Sequence, residues 1–225
     1  MSNKLITVKN FSVAVKARYF AVAAAVAAKN DVRYYLNGVS VEPGPKGKGA
    51  IMVGTDGHRL IAMHDPNGIC KQQVILSVNP QMLAACTKSP ARSQFLDIML
   101  TLDDDNSLIV GPGGNSDSEV HSEPHYRCPT DPRIDGKYTE WRRVVPAPDK
   151  VIPGLPGGYN GSYLADFYKI AKLIDPKYHG ITFFQHKENP AHSTLLIRSP
   201  QNKDFLGLLM PMRIDSIDGV PAWAA

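Results

Sequence analysis

The feature that most constrains the fold of this sequence is a pattern that occurs three times, a helix-forming stretch followed by strand-like runs. The first stretch, 11–29, is rich in alanine and has an apolar side. The second, 81–88, follows Asn79-Pro80, an N-cap residue and a proline at the first helical position. The third, 162–174, begins at Ser162 as a candidate cap. The pattern predicts an α+β fold of about three units, each of one helix and a few antiparallel strands.

The strand-like runs are short and apolar, and turn-forming residues separate them. We expect strands at 33–42, 50–54, 59–64, 95–102, 108–110, 181–186, 194–198 and 205–210, and a strand from Glu119 stays open. The segments 43–49, 103–106 and 111–115 are expected to be hairpin tips or loops. Segment 146–161 is rich in Pro and Gly and predicts a linker.

The composition, 43% hydrophobic and 20% charged over 225 residues, is typical of a globular protein with one large or two small domains. The longest apolar run, 20–28, is too short to span a bilayer, and the N-terminus lacks the layout of a signal peptide. Three cysteines without framework spacing favour the reducing cytoplasm. A formal net charge of +4 permits contact with nucleic acid without arguing for it.

Four short segments carry the information about function, and none is a catalytic motif by physical criteria. They are Asp-Val-Arg-Tyr-Tyr-Leu-Asn-Gly at 31–38, Thr-Asp-Gly-His-Arg-Leu at 55–60, Ile-Asp-Gly-Lys-Tyr-Thr-Glu-Trp-Arg-Arg-Val-Val-Pro at 134–146 and Met-Pro-Met-Arg at 210–213. In this order they resemble the bacterial DNA polymerase III beta subunit, the beta sliding clamp family. The resemblance implies the DNA-clamp fold, in which repeated helix-and-strand units place the helices on one side of the sheets.

The resemblance also implies a domain organisation. In that family each domain consists of two helix-and-strand units, and a subunit has three domains. This sequence shows three units, so a shortened clamp-like variant is expected. Residues 1–147 resemble the complete middle domain, and 148–214 resemble the closing half of the last domain. A C-terminal tail, 215–225, follows and has no counterpart that we can identify.

The family's pocket for short linear motifs of replication proteins is the main functional expectation. Such motifs occur in DNA polymerase subunits and the clamp loader, and methionines suit varied peptides. The residues expected to form the pocket by resemblance are Leu36, Thr55, Gly57, His58, Arg59, Leu60, Arg143, Val144, Leu208, Met210, Pro211, Met212, Arg213 and Ile214. The sequence departs from the family at Thr139-Glu140, where Pro-Asp is usual, and this departure puts the role of Thr139 in doubt.

Segment 55–60 has two interpretations when it is taken without the resemblance. Asp56 and His58 lie two residues apart and would face the same way in an extended segment, as an acid–base pair requires. A turn is the expected alternative, with an Asx hydrogen bond from Asp56 and unusual backbone angles at Gly57. The resemblance implies the second interpretation and no catalytic role.

Contact with DNA is a further expectation. By resemblance, Arg33, Tyr34 and Tyr35 lie where the family approaches DNA, since a basic side chain pairs with phosphate and an aromatic one stacks on bases. Lys169 and Lys172 share the polar face of the third helix, where they either line a DNA channel or are simply solvated. Whether double-stranded DNA is bound, and whether the chain associates with itself, stays open.

A rival hypothesis from another class is a metal-dependent enzyme acting on nucleic acid. The spacing of His121, His125 and Cys128, with Asp131 as a fourth ligand, is compatible with a metal site. No Cys-x-x-Cys pair supports it, so we expect neither a metal nor a cofactor.

The favoured hypothesis is a non-catalytic clamp-like replication protein, encoded by a phage or mobile element and acting as a processivity factor, adaptor or decoy. The family's ring contains twelve units, so a ring of this chain would need four copies. We expect a monomer or small oligomer instead, because ring closure needs complementary edges at both ends of each copy.

Overall fold

The structure is a computed structural model, and it describes residues 11–88, 97–113, 124–154, 158–178, 180–189 and 193–212. It contains three units that each begin with a strand, continue with a helix and end with three strands. The first unit comprises β1 (Phe11–Lys16), α1 (Ala17–Ala24), β2 (Gly38–Pro43), β3 (Ala50–Thr55) and β4 (Arg59–Asp65), followed by the short β5 (Ile69–Cys70). The second comprises β6 (Val74–Ser77), α2 (Pro80–Cys86), β7 (Asp97–Asp103), β8 (Leu108–Gly113) and β9 (Tyr126–Arg127). The third comprises β10 (Val151–Pro153), α3 (Gly161–Ile174), β11 (Thr182–His186), β12 (Leu195–Ser199) and β13 (Asn202–Leu209).

The strands form two antiparallel sheets, and the first two units exchange their first strands. One sheet has the order β5-β1-β7-β8-β9, and the other has the order β10-β11-β12-β13-β4-β3-β2-β6. Strand β1 of the first unit pairs with β7 of the second, and β6 of the second pairs with β2 of the first. In the third unit, β10 pairs with β11 of its own unit.

The length of the connection between the first strand and the helix explains this difference. β1 runs directly into α1, and only residues 78–79 separate β6 from α2. Neither strand can therefore turn back to lie beside the second strand of its own unit. Residues 154–160 separate β10 from α3. The third unit thus has the longer connection, and its first strand pairs with a strand of its own unit.

The pairing of β4 with β13 joins the third unit to the first. Leu208 lies opposite Leu60, and Gly207 lies opposite Ile61. Helix α3 packs close to this seam, because a Cβ on Gly207 would lie only 2.6 Å from an atom of the Phe167 ring. Phe167 and Phe205 are fully buried in the same core as α1. The close approach of α3 to the sheet therefore depends on a glycine in β13.

Two elements begin later in the chain than the sequence predicts. The helix expected at 11–29 begins only at Ala17, because Val13 and Val15 are buried in a strand that pairs with β5 and β7. The strand expected at 33–42 begins at Gly38. A 3-10 turn, Tyr34–Asn37, precedes it, and the Asn37 side chain closes this loop by hydrogen bonds to both backbone groups of Asp31.

Other expectations are confirmed or corrected at single residues. Asn79 caps α2, and its Oδ1 accepts a hydrogen bond from the backbone N of Met82 at 2.8 Å. Helix α3 is capped by Asn160 and not by Ser162, whose backbone N donates to Asn160 Oδ1. Residues 111–113, expected in a loop, belong to β8, and the expected linker contains β10. Strands β5, β6 and β9 were not predicted, and the open strand from Glu119 begins outside the described residues.

Helix α3 has a buried side and an exposed side. Phe167, Ile170 and Ala171 are buried, whereas Lys169 and Lys172 are exposed as expected. At 14 residues it is the longest helix in the described ranges. Among the described helices, none combines the length and the apolar character that crossing a membrane requires.

We predict that Gly207→Ala lowers the free energy of unfolding by about 1–3 kcal/mol, because the added methyl group overpacks the contact with the Phe167 ring. Urea denaturation followed by circular dichroism measures this change. The matched control is Gly161→Ala at the start of α3, where a Cβ meets nothing within 4 Å. The control should be neutral or stabilising by about 0.4–1 kcal/mol. Equal stability of Gly207→Ala and wild type would contradict the prediction.

Candidate functional site

The turn between β3 and β4 is held by its own side chains. Asp56 Oδ1 accepts hydrogen bonds from the backbone N of His58 at 3.0 Å and of Arg59 at 3.1 Å. Thr55 Oγ1 accepts from the backbone N of Gly57 and donates to the carbonyl oxygen of Arg59. Gly57 has φ of 89°, in the region that favours glycine. The expected Asx turn is confirmed, and the Asp56 carboxylate accepts hydrogen bonds from the backbone of the turn and from the Arg59 side chain.

A cavity of about 160 Å³ opens beside this turn, at the seam between the first and third units. Five segments that are distant in sequence surround it: Arg33 with the 3-10 turn that follows it, the 55–60 turn, segment 139–144, Thr194 before β12 and the end of β13. Its lining residues are Arg33, Tyr35, Leu36, Thr55, Gly57, His58, Arg59, Leu60, Thr139, Glu140, Trp141, Val144, Thr194, Leu208 and Met210. We call this space the cavity below.

The cavity has an apolar floor and an apolar mouth. Leu36, Leu60 and Leu208 are buried in one cluster and form the floor. Val144 and Met210 line the mouth with 45% and 43% of their surface exposed. Apolar side chains are thus held open to solvent next to a buried apolar floor, an arrangement typical of a binding site for an apolar group.

Nine of the fourteen expected pocket residues line the cavity, three described ones do not, and two lie outside the described residues. The nine are Leu36, Thr55, Gly57, His58, Arg59, Leu60, Val144, Leu208 and Met210. Arg143 is exposed in the same turn as Val144 but does not reach the wall. Pro211 and Met212 lie beyond β13, where the backbone N of Met212 donates to the carbonyl oxygen of Gly158 at 3.0 Å. Arg213 and Ile214 lie outside the described residues.

Segment 138–142 is attached to the sheet by side chains that the sequence analysis did not select. The Tyr138 hydroxyl donates to the carbonyl oxygen of Val53 at 3.1 Å, and burial raises the pKa of this tyrosine. Trp141 Nε1 donates to Glu42 Oε1 at 3.3 Å. The Arg142 guanidinium pairs with the same carboxylate and lies 4.4 Å from the centre of the Trp141 ring. These contacts fix the wall formed by Thr139, Glu140 and Trp141.

Arg59 is the centre of an ion-pair network that reaches α3. Its Nε lies 3.0 Å from Asp56 Oδ2, and its Nη1 lies 2.6 Å from Asp166 Oδ2. Lys169 Nζ pairs with the other oxygen of Asp166 at 2.9 Å. The guanidinium also lies 4.4 Å from the centre of the Tyr163 ring. The hydrogen bond from Arg59, and then the one from Lys169, lower the pKa of the Asp166 carboxyl.

Several site residues were missed for a common reason. Tyr163 and Asp166 lie three residues apart on α3, a spacing that only shows that they share a helix face. Thr194 lies just before β12 and also reaches the cavity. No local pattern signals these residues, because tertiary packing brings them to the 55–60 turn. For Glu140 and Trp141 the available signal was their position in the resembling segment 134–146, next to Arg143 and Val144.

The residues expected to contact DNA fall into two places. Arg33 and Tyr35 line the cavity, and Arg33 is paired with Asp31 at 2.7 Å. Tyr34 is 56% exposed next to them. Lys169 and Lys172 lie on the exposed side of α3, where Lys169 pairs with Asp166 and Lys172 lies over the Tyr168 ring. The structure therefore associates the first group with the cavity and the lysines with the helix surface.

The metal-dependent enzyme gains no support from the part of the chain that the structure describes. In those ranges no three potential ligands converge on one point. Asp131 forms a two-point ion pair with Arg133, its shortest contact measuring 2.6 Å. Burial and the nearby Lys88 lower the pKa of His125. His121 lies outside the described residues.

We predict that the Asp166 carboxylate makes stability depend on pH. Because the pKa of this group is lowered in the folded state, its contribution is complete above the ordinary value near 3.8 and is lost as the pH falls through the lower folded value. Wild type should therefore lose more unfolding free energy than Asp166→Asn between about pH 5 and pH 3. Urea denaturation at several pH values measures this difference.

The control for this pH series is Lys169→Met, which leaves the hydrogen bond from Arg59 to Asp166 in place. This variant should keep most of the pH dependence of wild type, because Arg59 is the larger cause of the lowered pKa. Identical pH profiles for Asp166→Asn and wild type would refute the prediction.

Comparison with known proteins adds sequence relatives and structural neighbours. No protein-family model matches the sequence. The beta sliding clamp of Escherichia coli strain K12 is 31% identical over 159 residues, which are 70% of this chain and 38% of that protein. The beta sliding clamp of Salmonella typhimurium strain LT2 is 30% identical over the same number of residues. The aligned part of the chain thus spans well under half the length of these curated relatives.

Solved structures show the same fold. A DNA polymerase sliding clamp from Pseudomonas aeruginosa has a TM-score of 0.64 and 19% identity, over 95% of this chain and 68% of that one. The Caulobacter crescentus structure described as pol III beta has a TM-score of 0.58 and 18% identity, over 90% of this chain and 66% of that one. The clamp fold expected from the sequence is confirmed.

Proposed function

Because the chain is a homologue of the bacterial beta sliding clamps, we propose that it is a non-catalytic DNA-replication protein of the cytoplasm that binds short linear motifs of replication proteins. The observation that carries the proposal is the cavity at the seam of β4 and β13, with its floor of Leu36, Leu60 and Leu208. The proposed partners are DNA polymerase subunits and the clamp loader. We propose that the protein acts as a processivity factor, an adaptor or a decoy. We further propose that a phage or mobile element encodes it.

The size and lining of the cavity fit one apolar anchor of a peptide. A protein cavity of about 150 Å³ is large enough to bind benzene, so about 160 Å³ suits one large apolar side chain. His58 and Glu140 add polar groups at the wall that can orient a peptide backbone. An apolar anchor with a few polar contacts corresponds to micromolar affinity, about −8 kcal/mol.

The exposed apolar side chains near the cavity support the same proposal. Val144, Met210 and Met212 expose 45%, 43% and 47% of their surface, respectively. Methionine adapts its shape to different ligands at low cost, which suits a site that binds related motifs from several proteins. Thr194 donates a hydrogen bond to the sulfur of Met210 at 3.3 Å and so favours one position of this side chain.

We further propose that the protein acts as a monomer or small oligomer and not as a closed ring. The outermost strands of the two described sheets are short: β5 and β9 have two residues each, β10 has three, including Pro153, and β6 has four. Short edge strands and edge prolines resist pairing with another chain.

Contact of double-stranded DNA with Arg33, Tyr34, Tyr35, Lys169 and Lys172 stays a prediction.

The peptide prediction concerns Leu60→Ala and Met210→Ala. Each should weaken binding of a synthetic peptide with the C-terminal sequence of a bacterial DNA polymerase about tenfold, since each removes apolar contact from the floor or mouth. Fluorescence anisotropy titration measures the dissociation constants. The matched control is Ile152→Ala, which removes a side chain of similar exposure, 39%, away from the cavity. Failure of wild type to bind, or equal binding by all four proteins, would refute the proposed function.

The assembly prediction concerns wild type alone. Static light scattering at micromolar concentration should give the mass of one or two chains of 24.6 kDa. Incubation with circular and linear double-stranded DNA of the same length should show no selective retention on the circle. A tetramer that stays on circular DNA and slides off linear DNA would instead establish a ring.

A further inference from the structure

Arg59 lies in the wall of the cavity, yet two different units determine the position of its guanidinium. The side chain is only 13% exposed and lines the cavity. Asp56, in the same turn, binds its Nε, whereas Asp166, which is 107 residues away in sequence on α3, binds its Nη1. The third unit therefore reaches the cavity by a second route besides β13.

A largely buried guanidinium needs hydrogen-bond acceptors for both its Nε and its Nη groups. Arginine has five N–H donors and cannot lose its charge, so a buried donor without a partner is costly. Asp56 uses Oδ1 for the backbone of its turn and has only Oδ2 for Arg59. Asp166 supplies the second carboxylate, at 2.6 Å. Without it, Nη1 must turn towards water, and the cavity is the opening that the side chain already borders.

Helix α3 also contacts the planar face of the Arg59 guanidinium. Tyr163 lies one turn before Asp166, and its ring centre is 4.4 Å from the Arg59 guanidinium. The His58 ring stacks on the same tyrosine, with centres 6.2 Å apart and an interplanar angle of 29°. Two cavity-lining side chains of the 55–60 turn are thus positioned by one face of α3.

We propose that Asp166 is a positioning residue for the cavity: by holding Arg59 against Tyr163, it keeps the guanidinium out of the space that a ligand occupies. This inference rests on the proposed function, since its readout is peptide affinity. The charge arrangement supports it, because Asp56 and Asp166 surround Arg59 while Lys169 balances Asp166 on the solvent side. Asp166 itself is not a lining residue of the cavity, so it affects the ligand through Arg59.

A double-mutant cycle tests the proposal with the polymerase C-terminal peptide as the probe. Asp166→Asn should weaken the affinity about three- to tenfold, the range expected for coupled neighbours. Arg59→Met removes the guanidinium itself, so Asp166→Asn should have no further effect in that background, and the double variant should bind as Arg59→Met does. Asp166→Glu, which retains the carboxylate, should recover most of the affinity lost in Asp166→Asn.

The control is Glu188→Gln, which breaks an ion pair of the same unit, Lys150 with Glu188 at 3.2 Å, away from the cavity. Its peptide affinity should equal that of wild type. Urea denaturation of every variant shows whether each is folded under the conditions of the titration.

The outcomes separate the inference from the proposed function. If wild type binds the peptide and Asp166→Asn binds equally well, or if the losses in the cycle add, then Asp166 does not act through Arg59 and the inference is wrong while the proposed function stands. If wild type does not bind, the proposed function fails and takes the inference with it. Non-additive losses with recovery by Asp166→Glu confirm the inference.

Discussion

The antiparallel pairing of β4 with β13 is the interaction on which the rest of the structure depends. It joins strands of the first and third units into one sheet and sets the register in which Leu208 lies opposite Leu60. A shift by one residue would turn every side chain of β13 to the other face. The cavity floor would then lose Leu208, and Gly207 would no longer lie under Phe167. The register therefore determines both the site and the docking of α3.

Polar contacts form a frame around this apolar site. Glu42 binds Trp141 and Arg142 on one side of the cavity, and Arg59 is held between two carboxylates on the other. Buried polar groups of this kind contribute modest net stability, but they leave few alternative positions for the side chains involved. The site thus combines a wall of fixed residues with the adaptable Met210 at its mouth, which suits recognition of short peptides that vary in sequence.

Connection length determines which strands each unit supplies to its neighbours. The direct passage from β1 into α1 forces an exchange of first strands between the first and second units, so these two units cannot separate without breaking both sheets. The third unit has a longer connection between its first strand and its helix and retains that strand, since β10 pairs with β11. It is held to the others through the β4–β13 seam and the packing of α3 on α1. The cavity lies at that seam, where the less interwoven unit meets the first.

The sequence by itself determined the features that depend on neighbours in the chain. The Asx turn at Asp56, the positive φ of Gly57 and the cap at Asn79 each involve residues within three positions, so local chemistry predicts them. The resemblance of short segments identified most of the cavity lining. Only the tertiary structure decided that residues 11–16 form a strand, since the alanines that favour a helix lie beyond them and pairing with β5 and β7 buries Val13 and Val15. It alone brought Asp166 to Arg59, because contacts between residues 107 positions apart arise from packing and register, which no local pattern encodes.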